Sequence, residues 1–185
     1  PQYILALVCE FRDETKSSDA RMTAGVLLKN AVAPVKRRGE ATLDERWSAT
    51  SREQRSSVKS ELLATLASHE RFVRNTAALV IAQIARVELP MCEWDDLLPI
   101  LCSAASAYDS GESNFVEAAL TTIEYILEEA TNDDALAEFF IGGGCINEFL
   151  TVTFKSINVA DGGSGAEDST PTMEARVHAI KIVRY

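Results

Sequence analysis

The apolar residues of this chain recur with the spacing of one face of an α-helix. Val58, Leu62 and Leu66 lie four residues apart and form one such stripe, and residues 116–127 form a broader one. Residues 73–84 are apolar nearly all round, as in a helix that is packed on both sides. No segment shows the alternation of a β-strand, so the pattern predicts an all-α protein.

Helix boundaries follow from the extent of each stripe and from its flanking residues. Ser51, with Gln54 three residues later, has the arrangement of a capping box, and Ser17 or Ser18 can cap the second helix. Pro90 marks a helix end. We predict helices over residues 3–12, 18–32, 52–68, 72–87, 93–107, 114–130, 134–141, 145–158 and 172–185.

Two segments rich in glycine interrupt this pattern. Residues 159–171 combine Gly and Ser with acidic side chains and cannot bury enough apolar area to order themselves, which predicts a flexible acidic loop. Gly142, Gly143 and Gly144 are not followed by Lys-Ser or Lys-Thr, and no strand precedes them. We interpret them as a loop or the start of a helix rather than a phosphate-binding loop.

A repeat links four of the predicted helices. Each copy has an alanine followed four residues later by Leu, Ile or Val, and the alanines are Ala24, Ala77, Ala119 and Ala179. The first, second and fourth copies also have an arginine three residues before the alanine. A small residue lets neighbouring helices approach closely, so we expect these alanines to be buried. Hairpins of about 40 to 47 residues that complete one another's core predict an α-solenoid.

The two tryptophans, Trp47 and Trp94, allow two interpretations. Each can be a contact for a partner or an anchor that packs between hairpins. Trp94 stands at the start of a predicted helix, where a large apolar side chain can staple the first turn. We interpret both tryptophans as packing anchors.

The composition is that of a soluble globular protein. Hydrophobic residues make up 46% and charged residues 25%, and only 9 Gly and 5 Pro occur among 185 residues. Disorder, collagen and coiled coil are excluded. No apolar run approaches the ~20 residues of a membrane span, and no signal peptide is recognisable. We expect an intracellular protein without a membrane partner.

The net charge of -10 argues against nucleic acid as a partner, since phosphate binding needs basic surface. The charge is uneven, with 11 basic and 8 acidic residues up to position 60 (+3) and 7 and 20 after it (-13). From Val87 to Phe154 there are 14 Asp and Glu residues and no Lys or Arg. A partner of such a surface should be basic. Alternatively, these side chains form ordinary solvated helix faces.

The reactive residue types form no catalytic or metal-binding pattern. The cysteines lie in or beside apolar runs and have no Cys-x-x-Cys spacing, so we expect reduced core thiols and no zinc site. His69 and His178 are far apart, and no Gly-x-Ser-x-Gly signature occurs. The chain is therefore not expected to be an enzyme or to hold a cofactor. The four cysteines are Cys9, Cys92, Cys102 and Cys145.

Several motifs, taken in order, resemble the importin-beta-like (karyopherin-beta) family of nuclear transport receptors, with its importin beta subfamily nearest. The likeness is clear over residues 1–130 and continues beyond only as repeat pattern. Because the chain starts with an apolar helix and stops in mid-pattern, we interpret it as the N-terminal part of a longer superhelix. The motifs are Arg21-Met-Thr-Ala-Gly-Val-Leu-Leu-Lys29-Asn30, Arg46-Trp47, Glu88-Leu89-Pro90 and Trp94-Asp-Asp-Leu97-Leu98-Pro99.

The resemblance implies a right-handed α-solenoid of HEAT-repeat helical hairpins whose N-terminal repeats bind the GTP-bound form of the small GTPase Ran. Later repeats hold importin alpha or basic protein cargo, and others contact Phe-Gly nucleoporins. The implied location is the cytoplasm, the nucleus and the nuclear pore. The alternative is a HEAT-repeat scaffold that binds no GTPase.

Candidate contacts with Ran come mainly from position in the family pattern. Lys29 and Asn30 belong to the Leu-Lys-Asn segment, which lies near the GTPase-binding region in the family. The alternative for Lys29 is an exposed lysine that snorkels from a buried helix. Arg52, Arg55 and Lys59 share one helix face and can meet acidic groups, or they form a solvated face. The candidate contacts for basic residues of a partner are Asp95, Asp96, Glu128 and Glu129.

Overall fold

The computed structural model describes residues 2–32, 43–107, 113–143 and 151, and these ranges contain eight α-helices. None of the described residues lies in a β-strand, which confirms the all-α prediction for them. None of the helices in these ranges is both long enough and apolar enough to cross a membrane. The helices are Gln2–Arg12 (α1), Ser18–Val32 (α2), Leu43–Ser48 (α3), Arg52–Thr65 (α4), Arg71–Glu88 (α5), Leu97–Ala105 (α6), Ser113–Ala130 (α7) and Asp134–Gly143 (α8).

The predicted helices agree with the structure in type and differ at some boundaries. Residues 93–96 form a turn rather than the start of α6, and the segment after Thr65 is a turn rather than the end of α4. Helix α3 was not predicted, because only two of its six residues are strongly apolar. The predicted helices 145–158 and 172–185, apart from residue 151, and the predicted loop 159–171 lie outside the described residues.

The glycine triplet is placed differently from the prediction. Gly142 and Gly143 are the last two residues of α8, so the interpretation as a loop or helix start is wrong for them. A side chain at Gly142 would meet nothing within 4 Å. Gly144 lies outside the described residues.

Serine side chains cap two helices as predicted. The backbone N–H of Gln54 donates to Ser51 Oγ at 3.3 Å at the start of α4. The N–H of Ala20 donates to Ser17 Oγ at 3.3 Å at the start of α2. Ser18 has another role, because its hydroxyl donates to Glu70 at 3.2 Å.

The chain divides into two compact units, residues 1–84 and residues 85–185. In the first unit, α1 packs against α2 and α4. In the second unit, α7 packs against α6 and α8. The contacts of α1 with α2 and of α6 with α7 are those expected of helical hairpins. The first core includes Val8, Phe11, Leu28, Leu62 and Ile81, and the second includes Leu97, Leu101, Ile123, Ile126 and Leu136.

The repeated alanines are buried where the structure describes them. Ala24 is 4% exposed, and Ala77 and Ala119 are fully buried, so the prediction is confirmed for these three. Ala179 lies outside the described residues. Both tryptophans are also buried, with Trp47 1% and Trp94 3% exposed, which confirms their interpretation as packing residues.

In the two copies of the repeat that the structure describes, the arginine is buried and donates hydrogen bonds to backbone carbonyls. Arg21 and Arg74 are 2% and 4% exposed. Arg21 Nε donates to the carbonyl of Phe11 at 3.0 Å, near the end of α1. Arg74 Nη1 donates to the carbonyls of Ser68 and His69, each at 3.0 Å, after the end of α4. Arg21 thus satisfies a carbonyl in the last turn of α1, which has no intrahelical donor, and Arg74 satisfies two carbonyls of the segment that follows α4.

Arg21 also joins two hairpins of the first unit. Its Nη1 donates to Glu70 Oε1 at 2.5 Å, and its Nη2 donates to Ser68 Oγ at 3.2 Å. The hydroxyl of Ser68 in turn donates to Glu14 Oε1 at 3.3 Å. These bonds connect the end of α1 and the start of α2 with the segment between α4 and α5. We call Glu14, Arg21, Ser68 and Glu70 the arginine junction.

Gly25 permits close packing beside this junction. A Cβ atom at Gly25 would lie 2.8 Å from Phe11 Cε2 and 3.3 Å from Phe72 Cζ. The rings of Phe11 and Phe72 meet edge to face, with centroids 6.3 Å apart and an interplanar angle of 86°. Any side chain at position 25 therefore requires the two rings to move.

Helix α5 ends in a Schellman motif. The N–H of Glu93 donates to the carbonyl of Glu88, and the N–H of Cys92 donates to that of Leu89, each at 3.0 Å. Cys92 has a φ of 53°, the left-handed conformation that this position requires. Glycine adopts this conformation without the steric cost that a side chain imposes.

We therefore expect Cys92→Gly to stabilise the protein by about 1 kcal/mol, because it relieves that cost. The measurement is the free energy of unfolding in urea. Cys9→Gly is the matched control, because Cys9 is also an exposed cysteine but lies within α1. It should destabilise the protein by about 0.5 kcal/mol, since glycine is unfavourable inside a helix. Equal effects of both substitutions would contradict the role of the left-handed conformation.

Candidate partner-binding surface

The rotation of α2 about its axis is set by one buried stripe. The stripe consists of Arg21, Ala24, Gly25, Leu28 and Val32, spaced three or four residues apart. Arg21 and Gly25 contact α1 and the residues around the start of α5, as described above. The opposite side of α2 is consequently solvent-exposed.

Lys29 and Asn30 lie on this exposed side near the end of α2. They follow Met22 and Val26 at spacings that place all four residues on one helix face. The structure thus makes the predicted contacts Lys29 and Asn30 accessible to a partner. A positive charge in the last turn of a helix is also favoured by the helix dipole, so Lys29 stabilises α2 as well.

The three basic candidates of α4 differ in exposure. Arg52 is exposed, whereas Arg55 and Lys59 are partly buried. The difference arises because Arg55 and Lys59 lie on the helix surface next to the buried Val58 and Leu62. Arg52 is therefore the most accessible of the three.

The four acidic candidates all belong to the second unit. Asp95 and Asp96 are exposed in the turn before α6, and Asp96 makes no capping hydrogen bond with its side chain. Glu128 is exposed and Glu129 is partly buried near the end of α7. Helices α6 and α7 pack against each other. Lys29, Asn30 and the basic residues of α4 belong to the first unit instead.

A groove of about 490 Å³ lies where α1 and α4 end. Arg12 and Glu61, which form an ion pair, are among its lining residues, together with Cys9 and Asp13. The Thr15 hydroxyl and the Thr15 N–H donate to Asp13 Oδ1, and these bonds lower the pKa of Asp13 below its usual value. The lining contains no histidine to activate the thiol.

The cysteines are less buried than predicted. Cys102 is 6% exposed in α6, as expected of a core thiol. Cys9 and Cys92 are exposed, so the core prediction is wrong for them, and Cys145 lies outside the described residues. Cys9 follows the buried Val8 in sequence but points to another side of α1. Within the described ranges, no three His, Cys, Asp or Glu side chains are grouped to hold a metal ion.

The sequence and the helical architecture of this chain are both similar to those of known proteins. Importin subunit beta-1 of Arabidopsis thaliana is 31% identical over 162 residues, which cover 88% of this chain and 18% of that protein. A crystal structure of importin beta matches with a TM-score of 0.80 at 32% identity, covering 99% of this chain and 20% of that one. The chain belongs to the importin-beta family. No family model matches it.

The family assignment confirms the resemblance seen in the ordered motifs and identifies the fold as a HEAT-repeat α-solenoid. The chain spans about a fifth of the length of these importin-beta relatives. Two more distant structures, both 21% identical, show the same fold. Kap95p with RanGDP has a TM-score of 0.70 and covers 98% of this chain and 18% of that one. Kap95 with Nup1 has a TM-score of 0.64 and covers 98% and 24%.

One expectation about the surface of this importin-beta family member needs correction. The stretch from Val87 to Phe154 was expected to present its carboxylates to a basic partner. Glu88 is fully buried, and Glu117 and Glu124 are 4% and 6% exposed. These three carboxylates are unavailable to a partner, because they lie on helix faces that other parts of the chain cover. The acidic surface is therefore smaller than the sequence indicated.

Sequence reasoning also missed two exposed apolar residues on the face of Lys29. Met22 is 46% and Val26 50% exposed. Their positions seven and three residues before Lys29 are the sequence signal that places them on the same helix face. Arg21 and Gly25, their neighbours in the sequence, are buried on the other side of α2.

Proposed function

We propose that this importin-beta family chain is part of a nuclear import receptor that binds Ran in its GTP-bound form through its helical hairpins. The observation that supports the proposal is the 31% identity with importin subunit beta-1 over 88% of the chain. A receptor of this kind carries importin alpha or basic cargo, contacts Phe-Gly nucleoporins, and moves between cytoplasm and nucleus through the pore. Kap95, a more distant neighbour, has been seen with RanGDP and with Nup1.

The contact residues that we propose for Ran have exposed or partly buried side chains. In the first unit, Lys29 and Asn30 of α2 and Arg52 of α4 are exposed. Arg55 and Lys59 of α4 are partly buried. Basic groups of the partner are proposed to meet carboxylates of the second unit, namely Asp95, Asp96, Glu128 and Glu129.

The nucleotide state of Ran provides the test. We expect the chain to bind Ran loaded with a non-hydrolysable GTP analogue more tightly than Ran loaded with GDP, as measured by titration calorimetry. Because Kap95p binds RanGDP, the readout is the ratio of the two affinities rather than the presence of binding. Equal or absent binding in both states contradicts the proposal and favours a scaffold that recognises no GTPase.

Charge reversal tests the named residues. Lys29→Glu, and separately Asp95→Lys combined with Asp96→Lys, should slow association and reduce its dependence on salt. Lys16→Glu is a suitable control, because Lys16 is an exposed lysine near α2 that pairs with Glu10 at 3.3 Å. Association rates that match wild type across salt concentrations would assign these positions to solvated surface.

A further inference from the structure

The segment that leads into α2 is the longest run of exposed residues in the part of the chain that the structure describes. Residues 14–19 are all exposed, and three of them, Thr15, Ser17 and Ser18, carry hydroxyl groups. Such a stretch is open to enzymes that modify side chains, because these enzymes have to surround the residue that they modify. The hydrogen bond of each hydroxyl shows which contact its modification would change.

Ser18 differs from the other two residues in where its hydroxyl bonds. Thr15 Oγ1 donates to an aspartate two residues earlier at 2.7 Å, and Ser17 Oγ accepts from a backbone N–H three residues later at 3.3 Å. Both of these bonds are local. Ser18 Oγ donates to Glu70 Oε2 at 3.2 Å, across 52 positions of the chain. Of the three hydroxyls, that of Ser18 therefore belongs to the contact between two hairpins.

Glu70 is shared between Ser18 and Arg21. Its other carboxylate oxygen, Oε1, accepts from Arg21 Nη1 at 2.5 Å. The Arg21 side chain is 3% exposed, whereas that of Glu70 is 39% exposed and can turn towards water. Ser18 and Arg21 are three residues apart in α2, a spacing at which side chains of a helix reach each other. An anion attached to Ser18 would thus compete with Glu70 for the same guanidinium.

We propose that Ser18 is a phosphorylation site and that a phosphate on it displaces Glu70 from Arg21. The phosphate donor is ATP, and the catalyst is a serine/threonine protein kinase. Ser18 Oγ bonds to the γ-phosphorus, the bond from that phosphorus to the oxygen of the β-phosphate breaks, ADP leaves, and the hydroxyl proton passes to the kinase.

The chemistry of the product favours the exchange of partners in two ways. Phosphorylated Ser18 has no hydroxyl proton to donate to Glu70, and its charge of about -1.5 to -2 at pH 7 repels the Glu70 carboxylate. The same charge attracts the Arg21 guanidinium, which can hold two phosphate oxygens at once. A negative group in the first turn is also favoured by the dipole of α2, so the helix itself is retained.

The exchange weakens the arginine junction without removing it. The segment between α4 and α5 loses its bonds from Ser18 and from Arg21 Nη1, but Ser68 still accepts from Arg21 Nη2. The curvature of a solenoid follows from the small rotation between neighbouring hairpins. Phosphorylation of Ser18 is therefore a means of loosening the contact that holds two hairpins of the first unit in one orientation.

The experiment compares the full chain phosphorylated at Ser18 with the full chain phosphorylated at Ser17, each phosphoserine being installed by genetic encoding. Both phosphates lie near Asp19 at the start of α2, so the comparison isolates the effect of the junction. In a phosphorus NMR titration, the second pKa of the phosphate should be about 1 lower on Ser18 than on Ser17, because a nearby guanidinium favours the dianion. Equal pKa values would refute the pairing with Arg21.

Hydrogen exchange tests the loosening of the junction. The amides of residues 66–70 should exchange about tenfold faster in the chain phosphorylated at Ser18 than in the unmodified chain, because this segment opens locally once Glu70 is released. The chain phosphorylated at Ser17 should exchange like the unmodified chain. Equal exchange in the two phosphorylated chains would show that the phosphate on Ser18 leaves the junction closed.

The assignment of Ser18 as the acceptor has its own test. The unmodified chain is incubated with magnesium, ATP and a serine/threonine kinase that selects a basic residue two positions before the acceptor, as Lys16 stands before Ser18. Tandem mass spectrometry should locate the phosphate on Ser18, and Ser18→Ala should abolish it. Phosphate confined to Thr15 or Ser17, or absent from the chain, overturns the assignment.

Discussion

Replacing Arg21 with methionine is expected to lower the free energy of unfolding by about 3 kcal/mol. Methionine retains the length of the side chain but leaves the Phe11 carbonyl and the Ser68 hydroxyl without this donor. The Glu70 side chain is 39% exposed, so it can regain contact with water. The loss therefore lies at the low end of the range for breaking a buried ion pair.

The measurement is urea unfolding followed by circular dichroism. Arg12→Met serves as the control, because Arg12 also pairs with a glutamate, Glu61, but the two side chains are 48% and 31% exposed. An ion pair so open to water contributes less than about 1 kcal/mol. Arg21→Lys should fall between the two variants, since lysine retains the charge without the planar donor geometry. Equal losses for Arg12→Met and Arg21→Met would refute the importance of the arginine junction.

Replacing Trp47 with alanine is expected to cost about 3 to 5 kcal/mol, as for other large side chains removed from a core. Trp47 is 1% exposed and is the largest fully buried side chain of the described residues. It belongs to α3, whose six residues are too few to remain helical without tertiary packing. We therefore expect α3 to lose its helical structure in this variant, and the measurement is the free energy of unfolding in urea.

Two substitutions calibrate the loss at Trp47. Trp47→Phe keeps an aromatic ring in the site and should cost about 1 to 2 kcal/mol. Tyr3→Ala removes an aromatic side chain that is 57% exposed and should change stability by less than about 0.5 kcal/mol. If Trp47→Ala left the unfolding curve unchanged and instead abolished Ran binding, Trp47 would be a partner contact rather than a packing residue.

The candidate surface was predictable in part. Lys29 and Asn30 were singled out by the Leu-Lys-Asn motif, and the structure places both on an accessible face. Met22 and Val26 became visible only when the rotation of α2 was known, because that rotation depends on Phe11, Glu70 and other residues distant in sequence. The different exposure of Arg52 and Arg55 likewise depends on what packs beside α4.

The sequence by itself determined the helical class, most helix boundaries, the buried alanine columns and the family. Helical periodicity records which residues share a face, because the backbone repeats every 3.6 residues regardless of context. Only the tertiary structure decided that Glu117 and Glu124 are buried, that Cys9 and Cys92 are exposed, and that α3 forms. Periodicity carries no information on how much of a face is covered, since the cover comes from segments distant in the chain.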